Sequence, residues 1–174
     1  QDTFIYDGNY KVARQNIAYI TRGCPADRPP CTTGPGTTFA LNAYDNTTVA
    51  TPALAADLAG VTARWNNHFS AFGAQNLTKI LDDYTDTSVL TSYDQCSCTL
   101  TTAVGVSQIG TFFTNLFAAL PDTSDLTAPV IETTADPRQT YLIFTANASG
   151  IKAQQDSFIY DQNYKVARQN IAFT

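Results

Sequence analysis

The chain begins QDTFIYDGNYKVARQNIAYI and closes QDSFIYDQNYKVARQNIAFT. These stretches, Gln1 to Ile20 and Gln155 to Thr174, agree at 16 of 20 positions with an offset of 154; Thr3/Ser157, Gly8/Gln162, Tyr19/Phe173 and Ile20/Thr174 differ. Residues rich in β propensity on both sides of a D-x-N-Y turn read as a β-hairpin. A hairpin alone in water is marginal, because its apolar face needs a helix or further strands to cover it. The remainder of the chain offers one set of covering helices, at residues 51–120. Two hairpins therefore compete for one core. The simplest resolution is a tandem array with a repeat of 154 residues, in which the tail of one repeat (1–20) precedes a complete next one. The first hairpin then completes the preceding domain, or adds to a neighbouring molecule. The other reading is an internal duplication whose extra copy packs on the same domain.

Between the two copies the periodicity changes four times. Thr21 to Thr38, TRGCPADRPPCTTGPGTT, holds four Pro and three Gly without hydrophobic rhythm, so residues 21–50 read as a stiff Pro/Thr-rich linker. Residues 51–174 read as one domain. Thr51-Pro52 supplies an N-cap and first-turn proline for a long helix whose inner face is Leu54, Leu58, Val61, Trp65, Phe69 and Phe72. Gly73 ends it, and Asn76 caps a short second helix with Leu77, Ile80, Leu81 and Tyr84 inward. Ser88 to Tyr93 reads as a strand, and Val106 to Leu120 as a third helix stopped at Pro121. Strands are then expected at 129–134, 140–146, 151–160 and 165–173. Helices followed by an antiparallel meander make an α+β fold.

Composition narrows the function. The formal net charge is −5, and the Lys and Arg are scattered, which excludes a phosphate-tracking surface and hence nucleic acid as partner. No apolar run is long enough for a membrane span. Methionine is absent, the pattern expected of a processed or excerpted piece of something longer. Three N-x-[ST] sequons, at Asn46, Asn76 and Asn147, point with Cys24 and Cys31 to an oxidising, extracellular setting with N-linked sugar. Cys24 and Cys31 bound a Pro-rich loop that a disulfide would close. Cys96 and Cys98 either bridge each other under strain or pair elsewhere. No metal-ligand spacing and no cofactor motif stands out.

RWNNHFSAFGAQNLTKILDDYTDTSVL (64–90), VGVSQIGTFFTNLF (104–117) and DSFIYDQNYKVARQNIA (156–172) resemble the nuclear transport factor 2-like superfamily, particularly its SnoaL-like and ketosteroid isomerase-like branch. The resemblance implies a cone, a curved antiparallel sheet wrapped around the long N-terminal helix, with a pocket at its open end. It implies a pocket lined by Trp65, His68, Phe69, Phe113 and Asp156. In the isomerase branch a carboxylate abstracts a proton, and a tyrosine and a protonated aspartic acid hold the oxyanion. Carried over, Asp156 falls at the oxyanion acid and His68 at the helix tyrosine, while the strand that should bear the base offers Thr91 and Asp94. With the base displaced, the favoured reading is structural: an extracellular, glycosylated tandem-repeat module assembling with other copies into a string or fibre through hairpin docking. The alternative is an isomerase- or cyclase-type enzyme, or a carrier of small hydrophobic ligands, using His68, Asp156 and Asp94.

Overall fold

A computed structural model describes residues 2–6, 12–17, 54–94, 96–135 and 138–173, with side chains at 57–94, 96–135 and 138–172. Asn46, Cys24, Cys31 and the 21–50 segment lie outside the described residues.

The core has two layers. Helix α1 (Leu54–Gly73), the single-turn α2 (Leu77–Leu81) and α3 (Gly105–Ala119) pack on one face of a six-stranded sheet. Its strands are β3 (Tyr84–Asp94), β4 (Thr99–Val104), β5 (Thr127–Ala135), β6 (Arg138–Ala146), β7 (Ile151–Tyr160) and β8 (Val166–Phe173), in the order β4-β3-β8-β7-β6-β5. All neighbours are antiparallel except β3 and β8, which run parallel. That pair closes the meander onto the first strand and makes the sheet mixed. Its entry is fixed by Val166 N–H donating to the Asp83 carbonyl at 2.8 Å and by the Ser88 hydroxyl donating to the Val166 carbonyl.

The helices end where their chemistry predicts. Asn76 Oδ1 accepts from Lys79 N–H at 3.0 Å, satisfying an orphan donor of α2. The inward face of α1 is Val61, Trp65, His68 and Phe72, all buried. Gly60 lies directly under the ring of Tyr164, where a Cβ would come within 2.4 Å of ring carbon, so only glycine admits that contact.

Three expectations need correction. Leu58, placed on the inner face of α1, is exposed, because the buried stripe begins a turn later at Val61. Tyr84 does not belong to the second helix: Asp82 caps that helix and Tyr84 is the first residue of β3. Strand β4 was not expected, because its burial is one-sided and five of its six residues are exposed. An edge strand with a single buried position carries little hydrophobic rhythm.

Apart from the six-stranded sheet, β1 (Asp2–Tyr6) and β2 (Val12–Ile17) pair antiparallel as a two-stranded sheet. Their register sets Asp2 opposite Ile17, Phe4 opposite Gln15 and Tyr6 opposite Val12, with an irregularity between Ile5 and Tyr6. The β7–β8 hairpin sets Asp156 opposite Ile171, Phe158 opposite Gln169 and Tyr160 opposite Val166, with an irregularity between Ile159 and Tyr160. Every partner in this set is displaced by the same 154 residues that separate the two copies in the sequence.

Candidate functional site

A pocket, partly open to solvent, lies between α1, α3 and the centre of the sheet. The five pocket residues named from the family resemblance all line it: Trp65, His68 and Phe69 from α1, Phe113 from α3 and Asp156 from β7. Phe72, Leu116, Leu142, Phe144, Phe158, Gln169 and Ile171 complete the wall. Alternation along β7 and β8 could have named Phe158, Gln169 and Ile171, since period two puts them on the face of Asp156.

Aromatic side chains fill most of the space. The Trp65 and Phe69 rings lie 5.0 Å apart, and Phe158 meets the His68 ring edge-on at 4.7 Å. What is left is a cavity of about 20 Å³. By that measure a single water needs roughly 10–15 Å³, and ligand pockets for drug-sized molecules run to about 300–1,000 Å³. The cavity as folded holds a water-sized guest.

Two polar groups of opposite behaviour border it. His68 is buried, and its Nδ1 lies 3.0 Å from Asp83 Oδ2. The other Asp83 oxygen accepts from Arg64 and Asn67, each at 2.8 Å. Burial alone would raise the Asp83 carboxyl, but the hydrogen bond and charge of His68, joined by Arg64 and Asn67, hold it below the usual carboxylate range. An ionised Asp83 accepts at Nδ1 and so orients the His68 ring. Asp83 escaped the sequence reading: it sits one residue past the end of α2's cap, and only the packing of α2 on α1 brings it to His68.

Asp156 is the reverse case. Its Oδ2 accepts from Gln169 Nε2 at 2.7 Å, and Gln169 Oε1 accepts from the Tyr84 hydroxyl. Its Oδ1 is buried with no protein partner. Burial pushes this carboxyl well above its ordinary value, against the lowering effects of Gln169 and the Ser157 backbone. Tyr84 is likewise raised, by burial and then by the negative charge of Asp156 and Asp83. The relay Tyr84, Gln169, Asp156 thus favours a neutral acid with one oxygen left over beside the cavity.

Asp94 is not part of this constellation. It stands at the end of β3, where its carboxylate accepts from Cys96 N–H at 2.9 Å and the Ser97 hydroxyl at 2.6 Å, holding the β3–β4 turn. Arg168 lies on the opposite face of β8 from Gln169. Neither Cys96 nor Cys98 is a free thiol. Asn76 and Asn147 are both exposed. Among the described residues no group of three His, Cys, Asp or Glu is placed to hold a metal ion, and no helix is long and apolar enough to cross a membrane.

No known family's sequence profile matches the chain, and no curated protein matches it in sequence. Solved structures do. A SnoaL-like protein of unknown function from Burkholderia thailandensis is similar over 67% of this chain and 95% of its own, at 13% identity and a TM-score of 0.52. An NTF-2-like protein of unknown function from Burkholderia xenovorans gives 67%, 84%, 14% and 0.50 on the same measures. A protein of unknown function with a cystatin-like fold from Methylobium petroleophilum gives 66%, 75%, 10% and 0.52. The chain has the α+β fold of SnoaL-like and nuclear transport factor 2-like proteins.

Proposed function

We propose that the chain is a structural module of an extracellular, glycosylated repeat protein, whose units join when one closing hairpin seats in the sheet of another unit. The observation that carries this reading is the shared register: β1–β2 repeats the pairing of β7–β8, irregularity included, at an offset of 154. In the six-stranded sheet that hairpin is interior, between β3 and β6. There it contributes Asp156, Phe158, Tyr160, Val166, Gln169 and Ile171 to the buried set. At the same positions β1–β2 carries Asp2, Phe4, Tyr6, Val12, Gln15 and Ile17, an identical list of residue types. A hairpin with an interior sequence is marginal outside a sheet. The seat for it is the place that β7–β8 holds between β3 and β6, in a like unit whose own closing hairpin is absent or displaced. Exposed Asn76 and Asn147 are positions where sugar fits without disturbing the core; in Asn76 the oxygen caps α2 and leaves the amide nitrogen free to carry it.

The test is electron microscopy of the native material together with its intact mass before and after enzymatic deglycosylation. Filaments or strings with units joined through the first hairpin, and mass lost on deglycosylation, are expected. A monodisperse, unglycosylated 18.8 kDa monomer would sink the reading.

A second reading rests on the unpartnered Oδ1 of Asp156: an isomerase- or cyclase-type enzyme, or a carrier of a small ligand with a hydrogen-bond acceptor. It requires the aromatic wall to open. Soaking with small cyclic ketones and following Trp65 fluorescence tests it, and saturable quenching abolished by Asp156→Ala is its expected signature.

A further inference from the structure

Of the residues that line the pocket, two titrate, His68 and Asp156, and they are only 4% and 6% exposed. Each spends one polar atom on a protein partner. His68 Nδ1 is held by Asp83 at 3.0 Å, and Asp83 is not part of the pocket wall, so Nε2 is the ring nitrogen left to face the pocket. Asp156 Oδ2 accepts from Gln169 Nε2, which puts the proton of the neutral acid on Oδ1, the oxygen without a protein partner. The two groups share one corner. Tyr84, whose hydroxyl begins the relay to Asp156, lies 6.0 Å from the His68 ring, centre to centre. Phe158, two residues along β7 on the face of Asp156 and opposite Gln169, lies 4.7 Å from the same ring. A buried polar atom without a partner is rare in folded proteins, and where there is room an ordered water supplies the missing bond.

We propose that this corner of the pocket is the binding site of one internal water, which accepts from Asp156 Oδ1 and bonds His68 Nε2 on its other side. Size and chemistry select water over other guests. The space of about 20 Å³ exceeds the roughly 10–15 Å³ that one water needs and leaves little more. Asp156 donates, while the imidazole nitrogen donates or accepts according to its tautomer. Water both donates and accepts, so it satisfies the pair in either case. A carbonyl or ether only accepts, and an ammonium ion only donates. The water joins two networks into one, running Tyr84, Gln169, Asp156, water, His68 and Asp83, with Arg64 and Asn67 on the other oxygen of Asp83. Asp156 and Gln169 belong to the closing hairpin, whereas His68 lies on α1 and Asp83 on the turn before β3. The water therefore sits at the joint between the hairpin and its seat. It belongs to the folded domain and does not depend on how units are joined.

A high-resolution crystal structure of the full chain, free of added ligand, tests the site. One rounded density peak within about 3.2 Å of both Asp156 Oδ1 and His68 Nε2 is expected. No peak, a peak bonded to only one of the two, or elongated density of a larger guest overturns the proposal. In solution, magnetisation transfer from a long-lived water to the His68 ring protons is expected in the unaltered chain. Asp156→Leu should abolish it, and Gln154→Leu, which removes a buried amide outside the pocket wall, should leave it in place. A signal that survives Asp156→Leu overturns the assignment. Should that variant fail to fold, the crystal structure of the unaltered chain still decides. Binding of a cyclic ketone, the requirement of the second reading, is measured separately, so failure of that reading and failure of the water site are distinguishable.

Discussion

The hairpins β1–β2 and β7–β8 are nearly the same sequence in the same register, yet one is a sheet of two strands and the other the middle of a sheet of six. Local sequence settles which residues pair and where the irregularity falls. It does not settle what the pair leans on. For β7–β8 the surroundings are specific: Tyr84 donates to Gln169, Val166 N–H reaches Asp83, Tyr164 covers Gly60, and its hydroxyl donates to Asp57 at 2.9 Å. Those partners come from α1 and the start of β3, which the chain holds once.

The sharpest way to break the comparison is a matched pair of truncations. Phe158→Ala removes a fully buried ring packed on His68 and Trp65 and should cost about 3–5 kcal/mol in urea unfolding. On the proposed reading, in which the first hairpin is seated in another unit, Phe4→Ala in the separated chain should cost much less. Equal losses would mean that both hairpins sit in equivalent cores of one molecule.

Next in size is the support beneath the hairpin's entry. Asp83→Ala strips His68, Arg64 and Asn67 of their common acceptor, and breaking a buried charge pair of this kind costs about 3 kcal/mol. Thermal melts should show that loss, and Asp82→Ala, on the same turn, should not.

Gly60→Ala should cost about 1–3 kcal/mol through overpacking against Tyr164, and Tyr164→Ala in the same chain should return part of it. No recovery in the double variant would show that Gly60 matters for another reason.

The smallest effect is a pH dependence carried by Asp156. The folded state raises the Asp156 carboxyl above its unfolded value near 3.8, so its stabilising contribution is complete below that value and is lost as pH rises through the folded one. Asp156→Asn should therefore melt progressively higher, relative to the unaltered chain, as the pH is raised. Asp83, held low, works with the opposite sign: its contribution is present above the unfolded value and fades as the pH falls.

Legibility followed periodicity. The stripe Val61, Trp65, Phe72 on α1 and the alternation along β7 carried their own rhythm, and α3, with Ile109 and Phe113 buried, lay close to where its spacing put it. Strand β4 had no rhythm to read, because an exposed edge constrains few of its side chains. Of the site, Trp65, His68, Phe69, Phe113 and Asp156 came from the family resemblance together. Asp83 and Tyr84 did not, because the segment LDDYT gives no sign that one turn ends a helix and delivers a carboxylate to a histidine fifteen residues earlier. Asp94, the carboxylate offered for the base, belongs to a turn of its own.

By itself the sequence determined the two hairpins and their common register, the helix stripes and their stops, and the α+β order, because each depends on neighbours a few residues away. The tertiary structure alone decided three other things: that β8 returns beside β3 in parallel, that Asp83 is held ionised while Asp156 favours its neutral form, and that aromatic rings close the cavity to about 20 Å³. Pairing between distant segments, desolvation and close packing depend on which surfaces meet, and no local pattern encodes that.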